Sequence, residues 1–187
     1  MKKLILICLA ICSIAVISSC GGGKKPSGEI KVGGIDIQQT LTEDFNAMQS
    51  LSKEAVFYES EMTLNGDVDT LTTPKVIEMK NIFQLKDTVY LFSHALEGDS
   101  VSTFLGKEQG FWCEDCVIEP QTKLSLGQAI EALWKTDCVK PKSSKVTLRK
   151  PLGPKILDSS YFIFGNQFSG LLFVNTTNGE VTYNIFD

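Results

Sequence analysis

The feature that most constrains this chain's fold is an order that runs twice: a capped helix, then alternating strands with turn signals between them. Thr40-Leu41-Thr42-Glu43 has capping-box spacing, with a hydroxyl for an orphan amide and a Glu three residues on to reach back. Leu41, Phe45, Met48 and then Leu51 or Ser52 follow at helical spacing, which predicts a helix over Glu43–Leu51. Ser125-Leu126-Gly127-Gln128 is a second capping box, and Leu126, Ala129, Ile130, Leu133 and Trp134 form a continuous apolar stripe behind it.

Strand patterns follow each helix. Val56, Tyr58, Ser60, Met62 and Leu64 alternate with Phe57, Glu59, Glu61 and Thr63, and Asn65-Gly66 then gives a hairpin signal. Lys75–Leu85 fits a helix opened by Thr73-Pro74, or a strand with Ile77, Met79, Phe83 and Leu85 on one face. The strand is preferred, because Lys86-Asp87 turns directly into Thr88–Phe92. Short strands at Val101–Leu105 and Gly110–Trp112 complete the first run. In the second run, strands are expected at Lys145–Arg149, Tyr161–Phe164, Gly170–Asn175 and Glu180–Ile185, with Asn178-Gly179 as the last hairpin turn. Ile30–Ile37 reads as a leading strand or ordered arm. Helix-then-strands order implies an α+β fold, with two helices packed on one face of antiparallel sheet. The globular region is 30–187, with sub-units 30–120 and 121–187; they share no clear sequence period.

The second half resembles a known family. Leu124-Ser125-Leu126-Gly127-Gln128-Ala129-Ile130-Glu131-Ala132-Leu133 looks like the opening helix of PepSY domains. Tyr161–Gly165 and then Gly170–Val181 are similar to that family's closing hairpin, with Asn175 and Asn178 where the family usually carries Asp and Thr. The resemblance covers about a third of the chain. It implies a small cystatin-like domain of the exported, non-catalytic kind, and it brings no catalytic residue.

The N-terminus supplies an address. Lys2 and Lys3 precede an apolar run, Leu4–Val16, that is too short to span a bilayer as a mature helix. Ile17-Ser18-Ser19-Cys20 resembles the bacterial lipobox, which implies a signal peptide over 1–19 and several acyl chains, palmitate among them, on Cys20. More than one chain gives firm anchoring where a single chain does not. An ordinary secretory signal would show an A-x-A-like site before Cys20, and an uncleaved anchor a longer apolar run. Residues 20–29, rich in Gly, Lys and Ser, read as a lipidated flexible tether. Gly21 stands where inner-membrane lipoproteins resemble one another in carrying Asp, so the expected residence is the outer membrane, facing periplasm or cell surface. Asp69-Thr70-Leu71, Asp87-Thr88-Val89 and Asp99-Ser100-Val101 resemble the O-glycosylation motif of exported Bacteroidetes proteins; Asp-Ser/Thr pairs are also good turn formers.

Charge excludes one class of partner. Of 18 Lys and Arg, Lys2 and Lys3 leave with the signal, so 16 cations face 22 acids and the mature net charge is −6. Arg149 is the only arginine. A nucleic-acid binder needs a basic stripe, so nucleic acid is not expected as a partner.

Chemistry-bearing residues are sparse. With Cys8 and Cys12 in the signal and Cys20 lipidated, Cys113, Cys116 and Cys138 remain in an exported compartment. They allow one disulfide, and the spacing leaves all three pairings open. Cys113-Glu114-Asp115-Cys116 has redox-dithiol spacing, but two carboxylates between the thiols raise rather than lower a thiol pKa. Cys113, Cys116, Cys138 and His94 make a complete Cys₃His set for zinc, although only one short-spaced pair is present. No G-x-S-x-G elbow accompanies His94, the only histidine. Glu59 and Glu61 read as a solvated strand face. Phe111-Trp112 is a candidate partner contact. The expectation is a membrane-anchored, non-catalytic binding or envelope-assembly domain without a cofactor, meeting an envelope protein or glycan. The alternative is a thiol-redox or zinc-dependent enzyme using Cys113, Cys116 and Cys138.

Overall fold

The computed structural model describes residues 30–185 apart from residues 114, 154–156, 169 and 184. The signal, the tether and Cys20 lie outside the described residues, as do Glu114 of the cysteine motif and the end of the last expected strand.

The elements in chain order are β1 (Gly33–Gly34), α1 (Ile37–Leu51), β2 (Val56–Leu64), β3 (Lys75–Leu85), β4 (Thr88–Glu97), β5 (Ser100–Gln109), α2 (Leu126–Lys135), β6 (Lys145–Arg149), β7 (Tyr161–Asn166), β8 (Gly170–Asn175) and β9 (Val181–Thr182). The strands form one 9-stranded sheet in the order β5-β4-β3-β2-β6-β7-β8-β9, with β1 beside β3. All the pairings are antiparallel except the short one between β1 and β3. A helix and four strands therefore occur twice, and the first strands of the two sets, β2 and β6, pair antiparallel at the centre. That is the arrangement a local two-fold axis produces. The fold is α+β, mostly antiparallel sheet with two helices.

Both helices contact the same layer of the sheet. Leu41 and Met48 of α1 join Met62, Met79 and Phe83, while Leu126, Ala129, Ile130 and Leu133 of α2 join Phe162, Phe164, Leu172 and Val174 in one buried cluster. The opposite, outer face carries a smaller cluster of Leu157, Ile163, Phe173 and Ile185 at its second-half end. A bulge at Tyr58 lets both Phe57 and Met62, five residues apart, reach the helix-side core, since an uninterrupted strand would put them on opposite faces. Residues 30–35 thread between α2 and β3. A side chain at Gly127 would collide with the Ile30 carbonyl, so the absence of a Cβ there is what lets the arm lie flat.

Four expectations need correction. α1 begins at Ile37, capped by Asp36 through Gln39 N–H, and Thr40 lies inside the helix; Asp is the stronger cap and it acts first. Asn65-Gly66 does not close a two-residue hairpin. Asn65 instead braces a ten-residue connection, its amide donating to Thr73 O and its carbonyl accepting from Lys75 N–H, while Val68 of that connection is buried. β4 continues past Phe92 to Glu97 and so contains His94. Gly110–Trp112 forms no strand: Gly110 turns the chain at φ 142°, and the Trp112 N–H bonds a side chain, Gln84 Oε1.

Candidate functional site

The outer face of the sheet is where the remaining chemistry collects. Leaving β5, the chain folds back over one end of that face as the 110–119 segment. Trp112 donates its backbone N–H to Gln84 Oε1 at 3.1 Å and its Nε1–H to Asp115 Oδ2 at 3.1 Å. Ile118 pairs with Phe57, and Asp115 with Pro151, each by an isolated bridge. Phe111 stays 68% exposed while Trp112 is half-buried, so the two aromatics of the expected partner contact stand in different surroundings.

Beneath this segment lies a pair of buried carboxyls, Glu59 and Asp115, each 4% exposed. Arg149 approaches both, Nη1 at 3.8 Å from Glu59 Oε2 and Nε at 3.6 Å from Asp115 Oδ1. Burial first, then the hydrogen bond and negative charge of Asp115, push Glu59 up to about 9, against the opposing pull of Arg149. At neutral pH Glu59 therefore keeps its proton and can donate it to Asp115. The arrangement holds the 110–119 segment to β2 and β6. Glu59 was read as solvated. Its burial depends on β2 meeting Arg149 across β6, ninety residues away in sequence, and no local pattern signals that.

The three cysteines are free, and the expected disulfide is not formed. Cys113 and Cys116 both lie by Tyr58, whose hydroxyl pKa is raised by burial and then by these thiols. Cys138 lies at Tyr183, whose pKa is raised by burial and then by its hydrogen bond with Cys138. The structure thus brings two of the thiols into one neighbourhood and places the third elsewhere. The Cys₃His set does not assemble either: among the described residues no three His, Cys, Asp or Glu side chains are grouped to hold a metal.

His94 has other work. Its Nε2 is 2.8 Å from Asp44 Oδ2 and its Nδ1 is 3.0 Å from Thr103 Oγ1, while Asn81 Nδ2 donates to Asp44 Oδ2 at 2.7 Å. Asp44, Asn81 and His94 are all buried. The network links α1 to β3, β4 and β5 under the helix, with the imidazole enclosed by core. Its chemical effect is to fix the register of α1 on the sheet.

Beyond the 110–119 segment the outer face opens. Two residues along β2 from Glu59 and along β6 from Arg149, Glu61 and Thr147 begin a groove of ≈ 660 Å³ lined also by Lys80, Ser93, Phe104 and Lys145. Its polar floor is braced by Lys80–Glu61 at 3.1 Å, Thr63–Glu78 at 2.8 Å and Lys145–Thr63 at 2.7 Å. Phe104 stands there 70% exposed. Sequence reasoning missed it, because a Phe in a strand normally signals core. Of the glycosylation candidates, Thr70 and Ser100 are exposed and Thr88 is half-buried.

Neither a protein-family model nor a curated protein sequence matches the chain. Among solved structures, a chain described as a putative lipoprotein from Clostridium difficile 630 aligns at TM-score 0.46 and 14% identity, over 75% of this chain and 88% of that one. A likeness of that size carries neither fold nor function across. Among the described residues no helix is long and apolar enough to cross a membrane.

Proposed function

We propose that this protein is a lipoprotein held at the outer membrane through Cys20, and that its folded part is a non-catalytic binding domain. The docking surface is the groove on the outer sheet face, and the exposed Phe111 of the 110–119 segment is a second contact, apart from it. Phe104 carries the reading: a large ring, 70% exposed, rises from a concave surface lined by the charged and polar side chains of Glu61, Glu78, Lys80 and Lys145. An apolar group left in water adds nothing to folding, whereas in a concave site it supplies contact area to a partner. The lipobox-like run before Cys20 supports the anchor, and Gly21 supports outer-membrane residence. The PepSY resemblance supports a cystatin-like, interaction-type second half, in which α2 packs on a four-stranded antiparallel run. The partner class is an envelope protein or glycan, on the periplasmic or surface side.

Two experiments test this. Cys20→Ala should release the protein from the membrane fraction or leave it unprocessed; normal membrane-bound mature protein in that variant contradicts the anchor. Affinity capture of the tagged lipoprotein from its own envelope should yield a stoichiometric partner that Phe104→Ala or Phe111→Ala loses. A defined substrate turned over by the purified protein, with turnover abolished by Cys116→Ser, rejects the binding reading in favour of a thiol enzyme.

A further inference from the structure

The sheet has two edges, and they are treated differently. β9 is only two residues long and covers part of β8, so the second-half edge is short and blunt. β5 runs ten residues as the opposite edge, pairs among the described residues with β4 alone, and has nine of its ten residues exposed. It carries no proline. A long edge of this kind offers a row of backbone donors and acceptors to another strand.

Its side chains say which strand. The helix-side residues of β5 are Val101, Thr103, Leu105 and Lys107, opposite Leu96, His94, Phe92 and Tyr90 of β4. Leu96 and Phe92 belong to the core layer, so that layer ends in the half-exposed Val101 and Leu105. We propose that β5 pairs antiparallel with β5 of a second copy about a two-fold axis at Thr103. That register sets Val101 against the second copy's Leu105, and Leu105 against its Val101. The apolar layer then runs unbroken from Leu96 of one copy to Phe92 of the other. The same register sets Lys107 against the second copy's Asp99, at the exposed Gly98-Asp99 turn. Moving the axis to Phe104 or Leu105 opposes Val101 to Lys107 or Gln109 and leaves no opposite charge facing Lys107. One register alone therefore matches apolar with apolar and cation with anion, as an isologous interface requires. The dimer extends the sheet and sets the two outer grooves side by side. It is independent of what the groove binds.

The test uses the lipidated mature chain in detergent, with Cys113, Cys116 and Cys138 changed to Ser. Directly opposed antiparallel residues have Cα atoms about 4.5–5.5 Å apart, within disulfide range. Val101→Cys and Leu105→Cys protein should therefore cross-link when mixed under oxidation, and neither should cross-link to itself. Lys107→Glu should lower that yield about tenfold, and adding Asp99→Lys should restore it to within about twofold, a rescue that misfolding cannot imitate. No cross-link, self-cross-linking of either single variant, or capture of a different protein's strand at these positions overturns the proposal. Partner capture through Phe111 is read separately, so either idea can fail alone.

Discussion

The two halves are made of the same parts in the same order, yet they bury different chemistry under their helices. α2 rests on Leu126, Ala129, Ile130 and Leu133 against the strands of the second half. α1 rests on Leu41 and Met48 but also on Asp44, which reaches Asn81 and His94 inside the layer. Apolar contact gives free energy with little directional demand, while a buried polar network gives position and penalises any other arrangement. The second half is therefore built for burial, and its edge is blunt. The first half is built for register; it carries the long edge and, together with β6, the groove.

The largest expected effect lies in the apolar half. Ile130→Ala should cost about 2–5 kcal/mol, because Ile130 has no solvent exposure and its loss leaves a cavity. Thermal melting checks this, and a much smaller loss would mean that α2 is not the main brace.

The next effect tests the buried carboxyl pair through pH. Glu59 keeps its proton to about 9 in the folded protein, against 4.5 ordinarily, so between these values the unfolded chain binds fewer protons than the folded one. Its stabilising contribution is complete below pH 4.5 and is lost as pH rises through 9. Glu59→Gln, which keeps the donor to Asp115 and cannot ionise, should melt with the wild type at pH 4 and several degrees above it at pH 9. Parallel melting curves across that window would contradict the account.

The polar network of the first half comes third. Asp44→Ala leaves His94 and Asn81 without their shared acceptor and should cost about 1–3 kcal/mol. A cycle with His94→Ala should show a coupling of about 0.5–3 kcal/mol, and additivity would mean the network does not act as a unit. At the small end, Phe104→Ser should change stability by no more than about 0.5 kcal/mol, since the ring is in water already. A larger loss would make Phe104 a structural residue.

Much of this architecture was legible because it rests on local signals. The Ser125 box is present with both of its bonds, and its helix starts where the box says. Lys75–Leu85 resolved as strand because Lys86-Asp87 turned it directly into the next one. Legibility failed where side chains reach across the fold. Asn65 holds a long connection in place of a tight turn, and Asp36 captures Gln39 N–H four residues before the box that was expected to begin the helix. The site was less readable than the fold. Glu59 is buried by Arg149 and Asp115 from distant segments, and Phe104 is exposed because no element among the described residues covers the outer face beyond the 110–119 segment. Composition correctly showed that His94 and Arg149 are single resources, but both are spent inside the fold.

The central claim is that recognition belongs to the open outer-face groove that runs from Phe104 to β6. A photo-crosslinking side chain placed at Phe104, and separately at Leu171 on the outer face of β8, tests it in intact cells. The account predicts a discrete adduct with another envelope component from position 104, of a mass different from twice this chain, and none from position 171. An adduct from position 171 with none from 104 would contradict it.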